Sequence, residues 1–223
     1  MTRMRTLAFC ALLLIVAAIL LYADTWHSAR RSSALEFHIL ASDWGDPACI
    51  AMVDRMIPSG PGPAPEAGDT KYRWIEVAHH EQFDQPGVPP KTFEWKGKYY
   101  LLAMTTPDAS MAGDSPWAVE RAYPTTDGMG NPCVGFALDD AGTKLFADLT
   151  TRWQPRDEDK FQLAIVVNGK IISAPWINSA IPGGSCFITG GVHGFRPDEE
   201  KTVLEALGAP EADAQPVVGG KTP

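Results

Sequence analysis

The sequence predicts an α+β protein in which small antiparallel sheets are covered by short helices, behind one N-terminal membrane-spanning helix. Three observations predict it. Leu163 to Val167 and Lys170 to Ser173 are β-branched, apolar runs separated only by Asn168-Gly169, a pair that accepts the positive φ angles of a type I′ turn and so sets a hairpin register. Asp139 or Asp140 caps a segment in which Ala141, Leu145, Phe146 and Leu149 form one helical face, expected to lie on the hairpin sheet. Leu7 to Ala23 is an unbroken apolar run with neither charge nor proline.

At 223 residues the chain is long enough for one large or two small domains, and its 45% hydrophobic and 21% charged composition suits a folded globule with an added anchor. The formal charge of −8 repels nucleic acid and anionic headgroups, because binding a polyanion requires a clustered cationic face. A nucleic-acid role is not expected on that ground.

The 17 positions from Leu7 to Ala23 reach about 25 Å as a helix, near the lower limit for crossing a bilayer. Arg3 and Arg5 ahead of it favour a cytoplasmic N-terminus, a bias that Arg30 and Arg31 weaken on the far side. A cleaved signal peptide is the alternative, with Tyr22-Ala23 before Asp24 an acceptable end, although the run is longer than the usual apolar region. Either reading exports the rest of the chain. The retained anchor places the protein in the inner membrane as a single-pass protein, with its bulk on the periplasmic side.

Leu35 to Ala41 alternates as a half-buried strand, with His38 turned away from Phe37 and Ile39 and expected to be solvated. Asp46-Pro47 opens a short helix that buries Ile50, Val53 and Ile57 and ends at Pro58, and residues 58–69 form a Pro/Gly-rich connector. Tyr72 to Ala78 reads as a strand, and Thr92 to Met104 as two strands turning near Lys96-Gly97. Ser115-Pro116 is expected to start a short helix through Arg121, with Trp117 as a packing residue. Pro175 ends the second hairpin strand, and Pro182-Gly183-Gly184 turns the chain into a third short strand, Cys186 to Thr189, expected to complete a compact antiparallel unit. The last helix begins near Pro197, carries Asp198, Glu199 and Glu200 in its first turn, and buries Val203, Leu204 and Leu207. A polar tail follows from Gly208.

Catalytic and cofactor motifs are missing from the sequence. There is no Gly-x-Ser-x-Gly elbow and no His-Glu-x-x-His helix, and Gly183-Gly184-Ser185 lacks the lysine of a phosphate loop. His79-His80-Glu81 offers zinc-type ligands, but adjacent residues of an extended chain point in opposite directions, so a solvated loop is the better reading. No catalytic, metal or cofactor residue is assigned, and the chain is read as a non-enzyme.

The series Asn131-Pro132-Cys133-Val134-Gly135-Phe136-Ala137-Leu138, Gly142-Thr143-Lys144-Leu145-Phe146-Ala147-Asp148-Leu149-Thr150, Leu163-Ala164-Ile165-Val166, Ser173-Ala174-Pro175 and Ile188-Thr189-Gly190 resembles the head subdomain of the first periplasmic domain of SecD. SecD is the bacterial protein-export membrane protein that works with SecF. Leu35 to Ala41 is similar to the opening strand of that domain in some SecD proteins. The resemblance implies a ferredoxin-like, SecD-periplasmic-type fold whose signature positions here are Phe136, Gly142, Phe146, Leu149, Thr150, Asn168, Gly169, Ser173, Pro175 and Gly190. The chain is accordingly read as a membrane anchor or signal segment with its linker at 1–32, a SecD-like base region at 33–114, a SecD-like head at 115–207 and a flexible tail at 208–223. Two departures stand near the last helix: His193 or Arg196 replaces the expected Ser or Thr, and Gly208-Ala209-Pro210 replaces the closing Gly-x-Leu-Pro. With one candidate membrane helix, the family's multi-helix membrane motor is not expected in this chain.

The implied role is accessory binding of unfolded or extended exported polypeptide, or contact with other Sec-type membrane components. A structural envelope protein without polypeptide binding is the alternative. A free sheet edge in the head favours the first reading and a fully covered sheet the second. Cys10 lies in the apolar run, leaving Cys49, Cys133 and Cys186 outside it. Cys133 with Cys186 is the best candidate disulfide, since both begin strands of the expected head sheet, while free buried cysteines are equally ordinary.

Overall fold

A computed structural model describes residues 34–41, 71–83, 92–112, 116–156, 160–191 and 193–208. The expected membrane helix, the helix after Asp46, the connector at 58–69, the tail from 209, Cys10 and Cys49 lie outside them. In chain order the strands are β1 (Leu35–Ile39), β2 (Tyr72–Val77), β3 (Phe93–Trp95), β4 (Lys98–Met104), β5 (Ser110–Met111), β6 (Val119–Thr126), β7 (Pro132–Leu138), β8 (Leu163–Val167), β9 (Lys170–Ser173) and β10 (Ser185–Thr189). The helix α1 (Asp140–Arg152) follows β7, and α2 (Pro197–Ala206) follows β10.

Local chemistry sets the tight turns and the helix ends. Asn168 and Gly169 stand at φ 50° and 76°, and Lys96 and Gly97 at 51° and 73°, so β8–β9 and β3–β4 each reverse through two left-handed residues. Asp139 caps α1 by accepting from the Gly142 amide at 2.7 Å. In α2, Arg196 takes the capping position without a Ser or Thr. Its amide donates to Glu199 Oε2 at 3.0 Å, and its guanidinium to Glu199 Oε1 at 2.9 Å.

The structure departs from expectation in four places. The larger sheet is seven-stranded and mixed, in the order β3-β4-β2-β9-β8-β1-β5, with β2 and β9 parallel through Glu76↔Lys170 and Val77↔Ile171. β10 does not join the β8–β9 hairpin but pairs with β7, forming a second sheet in the order β10-β7-β6. The segment expected to be helical through Arg121 becomes β6, because its pairing with β7 from Val119↔Leu138 to Thr126↔Pro132 overrides a weak local preference. Ala141 and Leu145 are exposed on α1, whose buried residues are Gly142, Phe146, Leu149 and Thr150. Trp117 is buried, as a packing residue should be.

The larger sheet closes on itself. β3 covers the outer edge of β4 only from Lys98 to Tyr100, and farther along β4 Leu40 bridges Ala103 while the Ala41 amide donates to Leu102 O at 2.9 Å. Strands β1, β8, β9, β2 and β4 therefore form a ring. Leu40, Ile75, Val77, Leu101, Ala103, Ala164, Val166 and Ile171 share one core cluster, on the ring's inner side. Leu35, Phe37, Ile39, Leu163, Ile165 and Val167 belong to another, with Val134 and Phe136 of the second sheet, Phe146 of α1 and Val203 of α2. All five residues of β8 are buried, so its apolar run serves two cores. β1 is likewise enclosed, and His38, expected to be solvated, is 1% exposed because its side of the strand faces the interior of the ring.

A Cβ added at Gly169 would meet nothing within 4 Å, so substitution there tests backbone conformation alone. Gly169→Val is expected to lower unfolding stability by about 1–3 kcal/mol in urea titrations, with Gly169→Asn costing less because Asn tolerates the left-handed region.

Candidate functional site

The second sheet turns one side to the core through Ala122, Val134, Phe136 and Ile188, with Cys186 packed against it. By strand alternation the other side carries Arg121, Tyr123, Gly135 and Phe187. Tyr123, Gly135 and Phe187 are directly opposite one another across β6, β7 and β10. A Cβ on Gly135 would lie 2.6 Å from the Tyr123 ring, so the glycine is the seat of that ring. The Arg121 guanidinium lies 5.5 Å from the Tyr123 ring centroid, within cation–π reach. Phe187 is 63% exposed at the end of this row.

β10 and β6 form the two edges of this sheet, and they differ. β6 carries Pro124 and a register shift between Val119 and Arg121, both of which discourage further pairing. β10, Ser-Cys-Phe-Ile-Thr, has no charge and no proline, and its register with β7 runs without a shift through five pairs. No strand among the described residues pairs with its outer edge. At one end Thr189 Oγ1 lies 3.5 Å from Ser173 Oγ of β9.

The family model of the SecDF P1 head subdomain matches residues 93–205, half of the chain. The chain belongs to this family. Protein translocase subunit SecD of Sebaldella termitidis is 44% identical over 73 residues, covering 33% of this chain and 17% of that protein. SecD of Rhodobacter capsulatus is 44% identical over 97 residues, covering 44% of this chain and 16% of that protein. These matches thus span about a sixth of the length of those relatives. A solved chain of SecDF, described as a membrane component that enhances protein export, is 18% identical with a TM-score of 0.41, covering 80% of this chain and 63% of that one.

In this SecDF head the signature positions are packing and turn positions, not members of the open row. Phe136, Gly142, Phe146, Leu149 and Thr150 are buried, and Thr150 Oγ1 donates to Phe146 O at 2.8 Å while accepting from the Ile181 amide at 2.9 Å. Asn168 and Gly169 form the left-handed turn. Ser173 is buried at the end of β9, Pro175 O accepts from the Leu163 amide at 2.9 Å, and a Cβ on Gly190 would strike the Phe195 ring at 2.2 Å. Arg121, Tyr123 and Phe187 escaped the sequence reading. The available signal was the alternation in β10, where Phe187 is out of phase with Cys186 and Ile188.

The register corrects the proposed disulfide. Cys133 and Cys186 are both free. Antiparallel neighbours begin at opposite ends, so Cys133 faces Thr189 while Cys186 faces Phe136. The cysteines sit three positions apart in register, on opposite sides of the sheet and about 10 Å apart along it, beyond the reach of a disulfide. Burial pushes the Cys186 thiol up to about 11. It also raises that of Cys133, with smaller contributions from the negative charges of Asp127 and Glu200. Among the described residues no group of three metal-capable side chains occurs, and His80 stacks on Tyr99 with ring centroids 3.7 Å apart.

At the β6–β7 turn, Asp127 Oδ1 accepts from the Met129 and Asn131 amides at 2.8 and 2.9 Å, and Oδ2 accepts from Asn131 Nδ2 at 3.0 Å. The Asn131 side chain, then the backbone amides, hold this carboxyl below its ordinary 3.8. A lowered carboxyl stabilises the fold above the unfolded value and ceases to do so as pH falls through the folded one. Asp127→Ala is therefore expected to be less stable than the parent at neutral pH, with the gap narrowing below about pH 3.8 in urea titrations. Peptide mapping of unreduced, alkylated protein is expected to yield no Cys133–Cys186 cross-link.

Proposed function

We propose that this SecDF head serves protein export by holding an extended segment of exported polypeptide along β10, with Phe187 as the apolar contact beside it. The observation that carries the reading is the edge of β10, unpaired by any strand among the described residues, next to a 63%-exposed phenylalanine, in a sheet whose other edge bears Pro124. Such an edge supplies backbone hydrogen bonds to any extended chain, which gives weak, sequence-tolerant affinity, and Phe187 adds apolar area. Family membership supports the same role, since the matching relatives are translocase subunits. The chain's charge of −8 adds a bias, drawing basic segments faster than acidic ones at low salt.

In this reading residues 115–207 are the contacting head and 33–114 its base. The run Leu7 to Ala23 anchors the chain in the inner membrane with its bulk on the periplasmic side. Other Sec-type membrane components are its natural neighbours. The role requires no bond-making step.

The test is titration of the full chain in mild detergent with matched basic, neutral and acidic unstructured peptides. Saturable submillimolar binding is expected, strongest for the basic peptide, with that preference fading as salt is raised. Phe187→Asp is expected to weaken binding by roughly three- to tenfold, the loss typical of an exposed aromatic contact. Met129→Asp, at an 83%-exposed position on the β6–β7 turn, should leave it unchanged. No saturable binding, or a Phe187→Asp variant that binds like the parent, would leave a structural envelope role in its place.

A further inference from the structure

The backbone groups on the outer edge of β10 can be located one by one. The Leu138 amide donates to Gly184 O at 2.9 Å, which extends the β10–β7 register by one hydrogen-bonded pair. Hydrogen-bonded and non-hydrogen-bonded pairs alternate along an antiparallel ladder, so Cys186 and Ile188 turn their amides and carbonyls toward β7. Ser185, Phe187 and Thr189 turn theirs the other way. No strand among the described residues meets them there.

This set of outward groups is its own complement. An antiparallel strand of the same sequence, centred so that Phe187 faces Phe187, sets Ser185 opposite Thr189 at both ends, and each of these residues then exchanges its amide and carbonyl with the residue opposite. The side chains match as well. Cys186 falls opposite Ile188 on the core side, and no charged residue lies on the strand, so two chains of net charge −8 meet without like charges opposed at the seam. Gly183-Gly184, ahead of Ser185, put no side chain in the way where the second copy passes Thr189 and the Ser173 hydroxyl beside it. On the open side, Tyr123, Gly135 and Phe187 form one row in each copy, and joining two such rows covers a phenylalanine that is 63% exposed in one chain alone. β6 offers nothing comparable, because Pro124 has no amide to donate and the register shifts between Val119 and Arg121.

We propose that a second copy of this chain occupies the β10 edge, two heads pairing antiparallel about a two-fold axis at Phe187. The contact is isologous, so it closes at two copies and leaves no further β10 edge open. It uses the edge assigned above to exported polypeptide and thereby regulates it: paired heads are capped, and a polypeptide gains the edge only by displacing the copy. A five-residue seam is short, so the pairing is weak and reversible. Repulsion between two chains of charge −8 opposes it at low salt, and its salt dependence is therefore opposite in sign to that of the preference for basic peptides.

The experiment uses the full chain in mild detergent, with micelles in excess over protein so that copies do not share one by chance. Sedimentation is expected to show a monomer–dimer equilibrium that shifts toward dimer as salt is raised. Phe187→Asp, which sets two carboxylates opposite each other, is expected to weaken it roughly tenfold. Mild oxidation and peptide mapping read the register. Phe187→Cys is expected to link to its copy, since hydrogen-bonded opposites stand about 5.5 Å apart at Cα, within disulfide reach, whereas the more exposed Met129→Cys is not. Ser185→Cys and Thr189→Cys are expected to link to one another only when the two variants are mixed. A chain that stays monomeric at every salt concentration, a dimer that Phe187→Asp leaves intact, or links that ignore this register would each overturn the proposal. A neutral unstructured peptide added to the parent separates the two uses of the edge. Peptide that binds a chain forming no dimer defeats the pairing alone, and a dimer that peptide neither binds nor dissociates defeats the polypeptide reading alone.

Discussion

Phe37 is the point on which the two sheets depend. Its ring lies 5.8 Å from Trp117, 6.0 Å from Phe136 and 5.0 Å from Phe146, centroid to centroid, so one side chain of β1 joins the lead-in to β6, the middle of β7 and the face of α1. None of those elements can move relative to the ring of strands without opening this cluster. Because the other side of β1 faces the interior of the ring, the strand has no solvated face. Its polar residues therefore find partners inside the protein: Glu36 meets His38 of the same strand and Arg73 of β2.

What the sequence made legible was local. The Asn168-Gly169 and Lys96-Gly97 turns, the Asp139 cap and the acidic first turn of α2 depend on residues within a few positions of one another, and their chemistry is explicit. Pairing was less visible. That β10 joins β7 and not the hairpin beside it in sequence depends on a core shared with Phe136, and that β2 lies parallel to β9 depends on segments almost a hundred residues apart. The Val119 to Arg121 stretch has no strong preference of its own, so its neighbour decides it. The alternation of β1 correctly separated Phe37 from His38 but carried no information on whether the second face meets water or another wall of the same sheet. For the open row the limit was different: an exposed phenylalanine is unremarkable in a sequence, and only the register shows it aligned with Tyr123 across a glycine.

The family match begins at residue 93, yet the ring does not. β1 and β2, both ahead of the matched segment, are the partners of β8 and β9, which lie within it. The head as a sequence family and the sheet as a packing unit are therefore not coextensive. The head contributes the hairpin, and the residues before it supply the two strands that cover the hairpin's outer edges. The open edge lies in the other sheet, where no such cover is described, so the fold closes one sheet and leaves a strand of the other available.

The enclosure of β8 also fixes an order of events in biogenesis. Leu35 pairs with Val167, so the first described strand must wait for almost the whole domain to be synthesised before it can dock. Until then Leu-Glu-Phe-His-Ile waits without its partner, with the apolar Phe37 and Ile39 uncovered. The length of that wait is set by topology rather than by stability.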